Sequence, residues 1–162
     1  MFSFFRKKPP ALPFSAAMKQ VIKTSRIEAF QLDNDFIAVP HFLLAMLREQ
    51  DPTVMPAFNQ LLVSPVLFEY RLATELMGLR LTSQRLSESA SLPLTLEMET
   101  MLQHAQQTAQ LLEAPEVEAV HLLLSMLRQP GSTAAEAAGE FGLTHDLLVA
   151  HLRLQEQQTS PE

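Results

Sequence analysis

The octapeptide His41-Phe42-Leu43-Leu44-Ala45-Met46-Leu47-Arg48 returns 80 positions later as His121-Leu122-Leu123-Leu124-Ser125-Met126-Leu127-Arg128, and no other feature constrains the fold as much. A repeat sets the architecture before single residues are interpreted. Each copy is an apolar run with histidine at its front and arginine at its back, and its Leu and Met residues favour helix over strand. The correspondence continues without a gap: Pro93-Leu94-Thr95 answers Pro13-Phe14-Ser15, Met98 answers Met18, Leu102 answers Ile22, and Ala109 and Leu112 answer Ala29 and Leu32. Beyond the octapeptide, Thr133, Ala137, Leu147 and Leu152 fall on Thr53, Ala57, Leu67 and Leu72. The chain is an internal duplication.

Apolar periodicity then places the helices. Met18, Val21, Ile22, Ala29 and Leu32 recur at three- and four-residue steps after Ser15, predicting one amphipathic helix. Asp33-Asn34-Asp35 reads as a turn, and Pro40 suits the first turn of the helix that holds His41 to Arg48. Asp51-Pro52 should end it. A third helix is expected to carry Ala57, Phe58, Leu61 and Leu62, with Pro56 near its start. Ser64-Pro65 predicts an N-cap followed by proline at the first helical position, opening a fourth helix through Phe68, Leu72 and Leu76, with Gly78 as its C-terminal cap. In the second half Gly142-Leu143-Thr144 supplies a C-cap glycine and an N-cap threonine where the first half has Leu62-Val63-Ser64.

The expected layout is a flexible tail over 1–12, a repeat over 13–78, a serine-rich linker over 79–92, a second repeat over 93–155 and a polar tail over 156–162. The second helix of each half is apolar nearly all round, so each half alone would expose a wide apolar face. The predicted fold class is all-α: two four-helix repeats packed with pseudo-two-fold symmetry into one globular domain.

Composition narrows the functional classes. Cysteine is absent, which removes disulfides, thiolate nucleophiles and cysteine-based zinc sites together. Arg6, Lys7, Lys8, Lys19, Lys23 and Arg26 all precede the first acidic residue, Glu28, so a basic head leads an acidic body that would repel nucleic-acid phosphates. The opening Met1-Phe2-Ser3-Phe4-Phe5-Arg6-Lys7-Lys8 has its apolar residues ahead of its charges, the reverse of a secretory signal. That tip reads as a disordered tail, or as a weak bilayer contact through its aromatic and basic groups. No window reaches the length of a membrane-spanning helix, and a cytoplasmic location is expected.

With these motifs in place the chain resembles the N-terminal repeat domain of the Clp unfoldases. In that family the second helix commonly opens Gly-Thr-Glu-His-Leu-Leu-Leu, where this chain has Ala38-Val39-Pro40-His41-Phe42-Leu43-Leu44 and Glu118-Ala119-Val120-His121-Leu122-Leu123-Leu124. The resemblance covers about residues 13 to 154. It implies a docking platform for Clp ATPase or Clp protease subunits, or for their substrates and adaptors, with no cofactor. There is no Gly-x-x-x-x-Gly-Lys-Ser/Thr phosphate loop and only four glycines occur, so no ATP-cradling loop of that kind is present. The implied protein is a free-standing domain, similar in layout to the small Clp-like accessory proteins of plastid Clp complexes. Some family members recognise phosphorylated arginine through the acidic residue before the histidine. Pro40 and Val120 stand at that position, so that activity is not carried over.

His41 and His121 are the most tempting chemical groups, as metal ligands or an acid–base pair. Neither has a signalled third ligand or orienting carboxylate, and a bond to a backbone group at a helix start or at an inter-repeat contact is the simpler role. His145 and His151 are six apart and share no helix face, and His104 stands alone. Asp33 with Asp35 and Glu97 with Glu99 read as a solvated turn and as helix N-terminal charges. There is no Gly-x-Ser-x-Gly turn. No catalytic, cofactor or metal residue is therefore predicted, and the protein is expected not to be an enzyme. The eight methionines read as core filler more than as a binding groove, with Met55, Met77 and Phe58 near helix ends as the candidates for exposure. The predicted docking site is the groove between repeats, formed by Phe36, Ile37, Val39, His41, Val117, Glu118 and His121. The alternative is a helical scaffold released from the Clp system that reaches a membrane or partner through its N-terminal tip.

Overall fold

Serine and threonine hydroxyls start most of the helices in this computed structural model, which describes residues 9–79 and 91–159. Ser15 Oγ accepts the Met18 N–H at 3.1 Å and opens α1 (Ala16–Gln31), and Thr95 Oγ1 accepts the Met98 N–H at 3.2 Å and opens α5 (Leu96–Leu111). Ser64 precedes α4 (Pro65–Gly78), Ser132 caps α7 (Thr133–Gly139) and Thr144 precedes α8 (His145–Thr159). Each hydroxyl satisfies an amide that the first helical turn leaves unbonded. The central pair, α2 (Val39–Arg48) and α6 (Ala119–Arg128), starts differently, as described below, and α3 (Met55–Gln60) has proline in its first turn. The described residues thus form an all-α fold of two four-helix units.

Every residue from Val39 to Leu47, and from Ala119 to Leu127, is buried. Helix α2 packs on α1, α4, α6 and α7, while α6 packs on α1, α5, α7 and α8, so the two repeated octapeptides form the centre of a shared core. Phe68 lies in that core with no exposure, its ring centroid 5.5 Å from Phe58 of its own repeat and 5.4 Å from Phe141 of the other.

The pseudo-two-fold axis is written in matched hydrogen bonds. The Ser15 N–H donates to Val117 O at 3.0 Å and the Val117 N–H to Pro13 O at 2.8 Å. Eighty positions on, the Thr95 N–H donates to Ile37 O at 3.0 Å and the Ile37 N–H to Pro93 O at 2.8 Å. The segment ahead of the first helix of each repeat therefore clasps the loop ahead of the second helix of the other. Side chains follow the same operator: Arg71 pairs with Glu140, at 2.9 Å from Nε to Oε2, and the equivalent His151 bonds Gln60.

Four expectations are revised. Leu62 is not on the face of α3: it is 90% exposed with φ 55°, and the Val63 N–H donating to Phe58 O at 2.9 Å makes it the left-handed residue of a helix-ending turn. Gly142 fills the same place in the second repeat with φ 75°. A leucine there carries the Cβ crowding that glycine avoids, and its exposed side chain returns little packing. Leu62→Gly is expected to raise stability by about 1 kcal/mol, read as a higher midpoint in urea unfolding.

Gly78, expected as a cap, is instead the last residue of α4, followed by Leu79 as the cap. The expected polar tail after Gln155 is helical to Thr159, because glutamine and glutamate are good helix formers whatever their polarity. The end of the expected flexible tail is also anchored: Gln106 of α5 accepts the Leu12 N–H and donates to Leu12 O, both at 2.9 Å. Most of the linker, and the aromatic and basic tip, lie outside the described residues. No described helix is long and apolar enough to cross a membrane.

Candidate functional site

The helix starts at His41 and His121 have the same construction. The Ala38 N–H donates to His41 Nδ1 at 2.9 Å, while the His41 N–H donates to Ala38 O at 3.1 Å. At the second copy the Glu118 N–H donates to His121 Nδ1 at 2.9 Å and the His121 N–H to Glu118 O at 3.1 Å. An imidazole thus replaces the carboxylate or amide that usually reaches back to an N-cap amide. Accepting at Nδ1 places the proton on Nε2, and His41 Nε2 donates to Asn34 Oδ1 at 2.9 Å. His41 is wholly buried, its ring 6.0 Å from that of Phe36 in an edge contact. Burial pushes its pKa down to about 4, and burial lowers that of His121 too.

This geometry leaves His41 without a free lone pair, so it can neither ligate a metal nor take a proton while the box is closed. No group of three or more His, Asp or Glu suited to a metal ion occurs among the described residues. Asn34 holds the arrangement, since its Nδ2 also donates to Leu76 O at 3.4 Å. Asn34→Ala would orphan the buried Nε2–H of His41 and is expected to cost about 1–3 kcal/mol, read by denaturant unfolding at neutral pH.

The predicted groove is mostly interior. Ile37 and Val117 are clasp residues and, with Val39 and His41, are buried, so these four offer no open surface, while His121 keeps only 5% exposure. Phe36 and Glu118 keep partial exposure. The physical reason is the clasp itself: bringing each N-terminal segment onto the opposite loop covers the residues that the loop would otherwise display. Met77 is 65% exposed, Met55 partly so, and Phe58 is core.

The second repeat nevertheless retains a cleft of about 510 Å³ beside its histidine, lined in part by Glu118, His121, Leu124, Leu152, Arg153 and Glu156. The first repeat closes the equivalent space with Asn34 and Leu76, which Ala114 and Glu156 replace in the second. Burial, then the charges of Asp51 and Glu116, push the Glu118 carboxyl above its usual range. Buried Asp51 accepts from the Thr53 N–H at 2.8 Å, and Thr53 Oγ1 accepts the Val120 N–H at 3.1 Å, tying the repeats at the mouth of α6. Proline at position 40 has no N–H, so the first repeat cannot make the symmetric bond. These asymmetries were open to discovery by comparing the copies for differences instead of agreement.

Residues 93–161 match the Clp repeat (R) N-terminal domain family. No curated protein matches the chain in sequence. The N-terminal domain of Hsp104 from Candida albicans superposes with a TM-score of 0.70 at 19% identity, covering 86% of this chain and 88% of that one. The N-terminal domain of the caseinolytic protease associated chaperone ClpD from Arabidopsis thaliana gives 0.64 at 16% identity, covering 88% and 96%. The N-terminal domain of the ClpV1 ATPase from E. coli EAEC Sci1 T6SS gives 0.68 at 16% identity, covering 87% and 84%. The chain therefore has the fold of the Clp N-terminal domains across both repeats, and its second repeat matches the Clp repeat family in sequence.

Proposed function

We propose that this protein is a non-catalytic docking module of the Clp type, which engages a Clp ATPase, a Clp protease subunit, or the substrates and adaptors of that machinery. The observation that carries this reading is an unmatched apolar face on α4. Leu62, in the turn ahead of the helix, and Val66, Tyr70 and Met77, at helical steps along it, are 90, 73, 73 and 65% exposed. Their counterparts are Gly142, Asp146, Ala150 and Gln157. An apolar stripe on one of two otherwise matched helices is the type of surface that a partner covers. The likeness to the N domain of a caseinolytic protease associated chaperone supports a partner of the Clp class.

The test uses the tagged full chain with purified Clp ATPase and peptidase, with and without ATP. Retention is expected, weakened about tenfold or more by the paired changes Val66→Asp and Tyr70→Asp, whose exposed positions should leave folding intact. Failure to retain any Clp component, together with an unchanged degradation rate in a reconstituted assay, would remove the reading.

A further inference from the structure

Arg48 and Arg128 close the two repeated octapeptides, yet their surroundings differ. In the first repeat Arg48 Nε lies 3.1 Å from Glu28 Oε1, and its Nη1 lies 2.6 Å from Glu69 Oε1. Beside them the Thr24 hydroxyl donates to Glu49 Oε1 at 2.5 Å. Every carboxylate in this cluster is missing from the second repeat: Thr108 stands for Glu28, Val149 for Glu69 and Gln129 for Glu49. Arg128 has no ion pair with any described residue.

A cavity of about 410 Å³ lies between α5 and the end of α6, lined in part by His104, Gln107, Thr108, Leu111, Ser125 and Arg128, with no acidic residue among its lining groups. The floor is already satisfied internally. Ser125 Oγ donates to His121 O at 2.8 Å and accepts from Thr108 Oγ1 at 3.2 Å. The guanidinium of Arg128 and the side-chain amides of Gln107 and Gln129 remain as donors for an incoming group. Leu111, 78% exposed, adds an apolar edge.

We propose that this pocket receives the carboxylate of an acidic side chain from a partner polypeptide, with an apolar neighbour resting on Leu111. The first repeat is the precedent: there the same arginine, at the same helix end, takes carboxylates presented from two helices, so the unfavourable C-terminal dipole is no barrier. Planar guanidinium donors suit a carboxylate, and the mixed lining suits a peptide over a bare ion.

The site is independent of the Clp partnership, and its test uses no Clp component. The probe is the peptide acetyl-Leu-Glu-Glu-Leu-amide, titrated into the full-length protein and followed by amide and guanidinium NMR shifts. Saturable shifts at Thr108, Leu111, Ser125 and Arg128 are expected, with affinity falling about tenfold or more when glutamine replaces glutamate in the probe or in the variant Arg128→Gln. Thr108→Glu should rebuild the missing internal pair, and is expected to abolish binding while leaving the unfolding midpoint equal or higher. Shifts that do not saturate, or binding indifferent to both variants, would overturn the proposal. So would a saturable response to inorganic phosphate with none to the peptide, which would assign the pocket to a free anion.

Discussion

Replacing Phe68 by alanine is expected to destabilise the whole chain by about 3–5 kcal/mol, the range for deleting a buried aromatic ring whose cavity cannot collapse. Phe68 has no exposure and lies between Phe58 of the first repeat and Phe141 of the second, so neither repeat can close the void alone. The measurement is urea unfolding followed at a probe in each repeat. One shared transition moving to lower urea at both probes is the expected result. Loss confined to the first repeat would show that the repeats fold as separate units and that the shared core contributes little.

The second large effect is a loss of stability in mild acid. His41 has its pKa lowered from 6.5 to about 4, chiefly by burial. The unfolded chain therefore takes up this proton before the folded one does. Stability is complete above about pH 6.5, declines as the pH falls, and by about pH 4 has lost about 3 kcal/mol through this group. His121, shifted the same way, adds to the loss with the same sign. Protonating Nδ1 would also set its new N–H against the Ala38 N–H that it now accepts. Unfolding measured between pH 7 and 4 should show this slope, and His41→Gln should flatten it. If that variant does not fold, NMR titration of the ring gives the same answer: titration near pH 6.5 in the folded protein would refute the account.

Much of this architecture was legible because it depends on short-range chemistry repeated twice. Ser15, Ser64, Thr95 and Thr144 are hydroxyl residues at helix starts, and their caps form where the spacing places them. The continuous apolar run of each octapeptide required burial on all sides, which only a second copy could supply. The role of the histidines as helix-start groups was legible too, since a buried imidazole needs a partner and the helix start offers an unbonded amide.

The site was legible in outline only. Ile37 and Val117 were read as groove residues from their place ahead of α2 and α6, but they bond across the axis, and nothing local in either loop reveals that partner. Leu62 resembles a core residue in sequence, yet the left-handed turn that ends α3 turns it to solvent. Glu28 likewise gives no sign that it is buried against Arg48, nor Thr108 that it lines a pocket beside Arg128.

The sequence by itself determined the duplication, the all-α class, the helix starts and the apolar centre, because periodicity and capping act within a few residues of the chain. Only the tertiary structure decided which loop clasps which segment, which of two equivalent histidines borders an open cleft, and which of two equivalent arginines has no carboxylate partner among the described residues. Those outcomes depend on pairs far apart in sequence, where a single exchange such as Asn34 for Ala114 or Glu28 for Thr108 changes what an identical neighbour can do.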